Sequence, residues 1–109
     1  MNYRRLGKSG LKVSELSYGS WVTFSLQLDQ SKATQIMKEA YDKGVNFFDN
    51  AEVYANGQSE IIMGNAIKEL GWRRYTFIVS SKVFWGGEKP TQRGLSHKHI
   101  IDACHAAMK

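Results

Sequence analysis

The stretch from residue 33 to residue 50, ATQIMKEAYDKGVNFFDN, decides the fold of this chain. Its apolar side chains recur at the spacing i, i+3, i+4, i+7 and i+8, which places them on one face of an α-helix. They are Ala33, Ile36, Met37, Ala40 and Tyr41. Asp29 or Ser31 can cap the start of this helix, and Gly44 stands where a left-handed C-terminal cap is expected. The apolar run at residues 45–49 predicts a strand directly after it.

The alternation of strand and helix continues on both sides of this stretch. Residues 59–70 repeat the helical spacing of apolar side chains, and residues 75–81 are a β-branched and aromatic run that ends at Lys82. Towards the N-terminus, residues 15–18 predict another strand. Residues 3–13 predict a hairpin, because two short runs flank a turn with a glycine at each end.

A third helix is predicted at the end of the chain, after a loop over residues 84–95. Ser96 can cap this helix, and an apolar stripe follows it. The stripe consists of Ile100, Ile101, Cys104, Ala107 and Met108. Because the stripe is still running at Lys109 and no glycine, asparagine or proline ends the helix, we expect the chain to be the front part of a larger domain.

The predicted order is therefore hairpin, β, α, β, α, β, α. Strands that alternate with helices indicate an α/β fold with right-handed crossovers and a parallel sheet. The strands also carry apolar residues on both faces, such as Phe47 with Phe48 and Phe77 with Ile78. This pattern is typical of a sheet that is covered on both sides.

Composition excludes several classes of protein. The chain has 109 residues, is 42% hydrophobic and carries 15 Lys and Arg against 10 Asp and Glu, which argues against disorder. No apolar run approaches the roughly 20 residues of a membrane helix, so we expect no insertion into a membrane. No run of five basic residues occurs, and the excess positive charge is interpreted as a solvated surface rather than a nucleic-acid site. The single cysteine, Cys104, fits a reducing compartment.

Three polar side chains stand where two neighbouring strands are predicted to end. Asp49 ends one strand and is followed by Tyr54, and Lys82 ends the next strand. Catalytic groups of parallel α/β folds gather at such ends. A tyrosine is a poor acid at neutral pH, but an ammonium group beside a phenol favours its ionised form, and a carboxylate can hold that ammonium. Asp49, Lys82 and Tyr54 together therefore predict a proton donor.

These residues belong to motifs that resemble the aldo-keto reductases over the whole chain. The resemblance rests on LGKSGLKVS at residues 6–14, FDNAEVY at residues 48–54 and the strand that ends in Lys82. Further motifs are similar to the β-subunits of voltage-gated potassium channels and their bacterial relatives. They are GSWVTF at 19–24, GWRR at 71–74, KVFWGG at 82–87 and RGLSHKHII at 93–101.

The resemblance implies a fold and a cofactor. Residues 1–109 would be the N-terminal part of one barrel domain, with the hairpin and the first three βα units of a (β/α)8 TIM barrel. The cofactor would be NADPH, contacted by Ser20, Trp21, Gln27 and Asp49. Asp49, Tyr54 and Lys82 would be catalytic, and Tyr54 and Trp85 would line the substrate side of the pocket. A fourth catalytic group would come from the next strand.

The resemblance leaves two functions open. The first is an NADPH-dependent oxidoreductase that reduces a small aldehyde or ketone with a tyrosine acid. The second is a cytoplasmic regulatory subunit that holds NADPH and docks to a potassium channel with little turnover. We expect residues 1–109 alone to be inactive, and to form a homo-oligomer if they fold with open sheet edges.

Several single residues also have alternative, structural interpretations. Trp21 and Trp85 can be loop-packing aromatics. The three histidines give only a weak metal pattern, because His97 and His99 fall on different helix faces, and we predict no metal site. Cys104 is interpreted as a buried small hydrophobe. The pair Gly86-Gly87 is not a dinucleotide fingerprint, since no G-x-G-x-x-G joins a strand to a helix.

Overall fold

The computed structural model describes residues 1–23 and 29–109, which form a mixed α/β structure. Five strands occur in this part: β1 (Tyr3–Arg5), β2 (Lys12–Ser14), β3 (Tyr18–Gly19), β4 (Phe47–Asp49) and β5 (Ile78–Ser80). Three α-helices alternate with the last three strands: α1 (Gln30–Asp42), α2 (Gln58–Leu70) and α3 (His97–Ala107). The predicted order of elements is therefore confirmed.

The strands form two separate sheets. Strands β1 and β2 pair antiparallel as the predicted hairpin, and β3, β4 and β5 pair in parallel in that order. The register of the parallel sheet sets Gly19 beside Asp49 and Asp49 beside Ser80. All three strands therefore end at the same edge of the sheet.

The hairpin is attached at the opposite end of the strands. The Asn46 amide group accepts a hydrogen bond from the Ser14 backbone N–H at 2.8 Å and donates one to the Lys12 carbonyl at 3.0 Å. The Tyr3 hydroxyl donates to the Gly44 carbonyl at 2.8 Å. Because Gly44 has φ +95° and a Cβ there would lie 2.8 Å from Met1 Cβ, only glycine fits this close approach without strain.

Helices α1 and α2 pack on one face of the parallel sheet and bury a single core. Its buried members lie in both helices, in β4, and in the residues just before β4 and β5. They are Ala33, Met37, Val45, Phe48, Met63, Ala66 and Phe77. Trp72 closes the core at the C-terminal end of α2, where its ring stacks on Tyr41 with centroids 4.1 Å apart. Phe47 and Ile78, on the other face, are only half-buried, so within the described residues the sheet is covered on one face.

The helix ends follow local chemistry. Asp29, rather than Ser31, caps α1, because its carboxylate accepts from the Lys32 N–H at 2.9 Å. Gly71 ends α2 in the left-handed conformation at φ +63°. The Ser96 hydroxyl caps α3 by accepting from the His99 N–H at 3.1 Å.

The structure corrects three strand boundaries. The predicted strand at 45–49 begins only at Phe47. The predicted strand at residues 15–18 is instead β3 at Tyr18–Gly19. The predicted strand at 75–81 is limited to Ile78–Ser80, because residues Arg74–Thr76 form a short 3-10 turn in which the Thr76 N–H donates to the Arg73 carbonyl at 2.9 Å. At residues 75–77 the β-forming side chains of Tyr75, Thr76 and Phe77 lie outside the strand, since tertiary packing outweighs propensity.

Helix α3 is oriented differently from its predicted apolar stripe. Its buried residues are His99 and Ala103, which are four positions apart, whereas Ile100 and Ile101 are exposed. Cys104, predicted to be buried, is also exposed. A stripe is buried only when another element lies against it, and here the described chain lies against the other side of the helix.

Candidate active site

The residues after β3, β4 and β5 form the edge at which the predicted catalytic side chains lie. Backbone hydrogen bonds continue between the chain segments beyond the strands: the Asn50 N–H donates to the Ser80 carbonyl at 2.9 Å, and the Glu52 N–H donates to the Lys82 carbonyl at 3.2 Å. Because these segments are tied together at backbone level, the side chains on them have limited freedom to move apart.

Lys82 is the centre of this site. Its Nζ lies 2.6 Å from Asp49 Oδ2, 2.8 Å from the Asn50 carbonyl oxygen and 3.2 Å from the Tyr54 hydroxyl oxygen. An ammonium group has three N–H donors and no acceptor, so these three oxygens use all of its hydrogen atoms. The structure thus brings Asp49, Tyr54 and Lys82 together, as the sequence predicted.

The ionisation of Lys82 is favoured by this arrangement. Partial burial acts to lower the pKa of Lys82, but hydrogen bonds to Asp49 and Tyr54 and the charges of both groups outweigh it and hold the pKa above its ordinary value. Asp49 is fixed from its other side, since its Oδ1 accepts a hydrogen bond from the Ser80 hydroxyl at 2.6 Å. Lys82 is therefore a fixed positive charge beside the phenol.

Tyr54 is held by an unusual turn. Ala55 and Asn56 have left-handed backbone angles, with φ of 50° and 53°, and Gly57 follows with φ +89°. Only glycine adopts this region without strain. Strained backbone of this kind is concentrated at functional sites, and here it directly follows the tyrosine.

The Tyr54 ring contacts both an aromatic ring and a cation. Trp21 stacks against it with ring centroids 6.2 Å apart and an angle of 24° between the planes. Lys82 Nζ lies 5.0 Å from the centroid of the same ring, close enough for a cation–π contact. The hydroxyl group accepts from Lys82, and among the described residues no acceptor takes the hydroxyl hydrogen, which is therefore free to meet a ligand.

A pocket of about 390 Å³ opens over this group. Its walls include Trp21, Tyr54, Lys82, Phe84 and Trp85. The rings of Phe84 and Trp85 meet edge to face with centroids 4.5 Å apart. The volume lies within the range of small-molecule pockets, and the aromatic wall with a few polar groups at its base is the usual composition of such sites.

The predicted cofactor and substrate residues occupy different positions around the pocket. Trp21 and Trp85 expose their rings at 68% and 59%, so both can contact a ligand. Ser20 is fully buried, and its hydroxyl donates to the Asp49 carbonyl at 2.9 Å, which fixes the strand end. Gln27 lies outside the described residues. The assignment of Ser20, Trp21, Gln27 and Asp49 to a cofactor stays a prediction.

Sequence reasoning missed a largely buried pair at the pocket wall, formed by Glu52, which lines the pocket, and His99. His99 Nε2 lies 3.1 Å from Glu52 Oε2, and the two side chains are only 5% and 13% exposed. The only available signal was their position: a carboxylate shortly after β4 and an imidazole in the first turn of α3 lie at the same edge of a parallel sheet. The histidine spacing indicates only a weak metal pattern and does not predict this contact.

Within residues 1–23 and 29–109, no group of three or more histidine, cysteine, aspartate or glutamate side chains is arranged to bind a metal ion. Among the same residues, no helix combines the length and the apolar character that crossing a membrane requires.

Comparison with known proteins shows the family of this chain. The chain is 60% identical over 109 residues to the "Probable voltage-gated potassium channel subunit beta" of Arabidopsis thaliana, and 56% identical to the protein of the same name in Oryza sativa subsp. japonica. Each match covers 100% of this chain and 33% of the relative, so the chain spans about a third of the length of the curated relatives it matches. Residues 15–109 match the model of the Aldo/keto reductase family. The chain therefore belongs to the aldo/keto reductase family.

Proposed function

We propose that this protein is an NADPH-dependent oxidoreductase that reduces small aldehydes or ketones, with Tyr54 as the general acid. Membership of the aldo/keto reductase family supports the oxidoreductase class. The observation that carries the finer proposal is the bonding of Lys82, whose three hydrogens point to Asp49, Asn50 and Tyr54. This bonding leaves the Tyr54 hydroxyl hydrogen available to a carbonyl oxygen in the pocket.

Each residue of the site has a separate task in this reaction. When bound, the nicotinamide cofactor supplies the hydride that adds to the carbonyl carbon. Tyr54 donates its hydroxyl proton to the carbonyl oxygen as negative charge develops there, so that hydride and proton together convert the carbonyl to an alcohol. Lys82 stabilises the phenolate left on Tyr54, and Asp49 holds the Lys82 ammonium in place.

The chemistry of the pocket fits a nicotinamide ring and a carbonyl group. Trp21, Phe84 and Trp85 provide flat aromatic surface, which suits a planar ring. The carbonyl oxygen would meet the hydrogen-bond donors of the pocket at Tyr54 and Lys82. We propose that Ser20, Trp21, Gln27 and Asp49 contact the cofactor.

The experiment is a measurement of NADPH oxidation by the full-length protein with benzaldehyde as substrate. We expect steady-state turnover in the wild-type protein and its loss in Tyr54→Phe, with NADPH binding preserved in both. Absence of turnover with benzaldehyde and with aliphatic aldehydes and ketones, in a protein that binds NADPH, would contradict an oxidoreductase role.

A second candidate function is supported by the names of the two plant relatives. Both are named as probable voltage-gated potassium channel subunit beta. The chain is 60% identical to one and 56% identical to the other over 109 residues. We propose as the alternative that the protein binds NADPH in the cytoplasm and docks to a channel of this class with little turnover. Binding of the full-length protein to the cytoplasmic part of such a channel, together with very slow NADPH oxidation, would favour this alternative.

We also propose that residues 1–109 form the hairpin and the first three βα units of a (β/α)8 barrel. The order of β3 to α3 supports this, because each parallel strand is followed by one helix. A structure of the full-length protein in which the parallel sheet does not close would contradict it.

A further inference from the structure

We propose that Glu52 and His99 are positioning residues: they form a buried strap that holds Phe84 and Trp85 over the pocket and thereby sets which carbonyl substrates fit. The inference rests on the proposed function, because it assigns the pocket to a carbonyl substrate. The two residues are 47 positions apart: Glu52 lies in the connection from β4 to α2, and His99 lies in the first turn of α3.

Glu52 connects three parts of the site. Its backbone N–H donates to the Lys82 carbonyl at 3.2 Å, and its Oε1 accepts from the Phe84 backbone N–H at 2.6 Å. Its Oε2 lies 3.1 Å from His99 Nε2. One side chain therefore ties the segment that carries Tyr54 to the segment that carries Phe84 and Trp85.

His99 fixes the far end of the same loop. Its Nδ1 lies 2.8 Å from the Gly94 carbonyl oxygen, and the Gly94 N–H donates to the Phe84 carbonyl at 2.8 Å. The loop is therefore closed on itself at Phe84 and Gly94, and the imidazole joins this closure to Glu52. Trp85, itself 59% exposed, has its backbone held directly beside this closure.

Hydrogen counting shows how the pair is bonded. A carbonyl oxygen only accepts, so the hydrogen of the contact with Gly94 lies on His99 Nδ1. The contact between Nε2 and Glu52 Oε2 then needs a second hydrogen, placed on one of these two atoms. Whichever atom carries it, the pair shares one hydrogen across a buried contact, where a missing partner is costly.

Gly86 packs directly over the pair. A Cβ at this position would lie 2.5 Å from Glu52 Oε2 and 2.9 Å from His99 Nε2. A methyl group there must displace two side chains that are buried and hydrogen-bonded. At Gly87, in contrast, the three atoms nearest to an added Cβ all belong to the end of the exposed side chain of Gln92, which can move aside. The two neighbouring glycines thus provide a probe and its matched control.

The experiment compares variants of the full-length protein with NADPH and two aldehydes, benzaldehyde and propanal. Glu52→Ala removes the acceptor of the Phe84 N–H and the partner of His99. We expect KM for benzaldehyde to rise on the order of 10- to 100-fold, the effect of a misplaced binding wall, with a smaller rise for propanal. We expect kcat to change less than KM, because Tyr54 and Lys82 keep their contacts.

Glu52→Gln distinguishes positioning from charge. Its amide oxygen can accept from the Phe84 N–H, and its amide nitrogen can donate to His99 Nε2 in a neutral imidazole. We expect this variant to recover most of the loss seen in Glu52→Ala. Gly86→Ala should raise KM for benzaldehyde as Glu52→Ala does, whereas Gly87→Ala should behave as wild type. A Gln variant as impaired as the Ala variant, or equal effects at both glycines, would overturn the proposal.

A second measurement is independent of activity and of the folding of any one variant. Hydrogen exchange of the Phe84 amide should be slow in the wild-type protein and at least roughly 10-fold faster in Glu52→Ala or Gly86→Ala. Unchanged exchange in both variants would overturn the strap even if the protein reduces aldehydes. Faster exchange in a protein that turns over no carbonyl would support the strap and contradict the proposed function.

Discussion

Lys82 Nζ lies 3.2 Å from the hydroxyl oxygen of Tyr54, although the two residues are 28 positions apart in the chain. The contact is made because β4 and β5 are adjacent parallel strands that end in register at Asp49 and Ser80. It leaves the tyrosine as hydrogen-bond acceptor towards the protein and as donor towards the pocket. The predictions on catalysis depend on this arrangement of donor and acceptor at the Tyr54 hydroxyl.

Replacing Tyr54 by phenylalanine should remove the proposed proton donor and keep the ring. We expect single-turnover hydride transfer in the full-length protein to slow by roughly 10²- to 10⁴-fold, the usual contribution of a general acid. Stacking on Trp21 should be preserved, so NADPH affinity should change little. Tyr75→Phe is the control, because Tyr75 is 79% exposed and its hydroxyl contacts only Arg73 among the described residues. An unchanged transfer rate in Tyr54→Phe would contradict the role.

The Lys82 contacts should stabilise the fold in a pH-dependent way. The pKa of Lys82 in the folded protein is above its ordinary value of 10.5, so the stabilisation is fully present below that value and is lost as pH rises through the folded pKa. The difference in unfolding free energy between wild type and Lys82→Met should therefore be constant near neutral pH and shrink above about pH 10.5. Because the Lys82 side chain is 53% exposed, the effect should be small.

Urea unfolding of both proteins at neutral and at alkaline pH measures this difference. Lys89→Met is a suitable control, because Lys89 is exposed and makes no ion pair within the described residues. A wild-type advantage that grew at alkaline pH would show that Lys82 is not held as an ammonium by Asp49 and Tyr54.

The tryptophans should respond differently to NADPH. Trp21 is exposed beside Tyr54 at the pocket, whereas Trp72 stacks on Tyr41 in the core at the other end of the strands. We expect NADPH to quench the fluorescence of Trp21 and not that of Trp72, measured in single-tryptophan variants of the full-length protein. We also expect Gln27→Ala to weaken NADPH binding. Quenching of Trp72 alone would reverse the assignment.

Strain in the turn after Tyr54 should be measurable as stability. Ala55→Gly replaces an alanine at φ +50°, where an L-residue costs on the order of 1–2 kcal/mol, partly offset by the greater freedom of glycine in the unfolded chain. We expect a net gain of about 0.5–1 kcal/mol in the free energy of unfolding. The matched opposite change is Gly57→Ala at φ +89°, which should destabilise the protein. A lower free energy of unfolding in Ala55→Gly together with a higher one in Gly57→Ala would show that the turn is not strained.

Residues 1–109 expressed alone should neither bind NADPH tightly nor turn over a carbonyl. Helix α3 leaves Ile100 and Ile101 exposed, and β5 has a neighbour only on one side within the described chain. Such surfaces favour self-association. Light scattering and NADPH fluorescence test this directly: a compact monomer that binds NADPH at micromolar concentration would contradict the expectation.

The order of elements and the meeting of Asp49, Tyr54 and Lys82 could be predicted from the sequence. The helical spacing from Ala33 to Tyr41, the glycine after α2 and the serine before α3 are local signals, and local signals depend on a few neighbouring residues. Asp49, Tyr54 and Lys82 could be placed together because adjacent parallel strands end at one edge. The exact strand lengths could not be predicted from the sequence, since packing outweighs the β-propensity of single residues.

Only the tertiary structure decided which side of α3 is buried and what lies at the pocket wall. The apolar stripe with Cys104 was predicted to face inward, but His99 and Ala103 do so, because the neighbouring elements lie on that side. The contact between Glu52 and His99 joins residues 47 positions apart, and no spacing in the sequence predicts it. A buried polar pair is defined by what surrounds it in three dimensions, and neither its periodicity nor its composition distinguishes it from two solvated side chains.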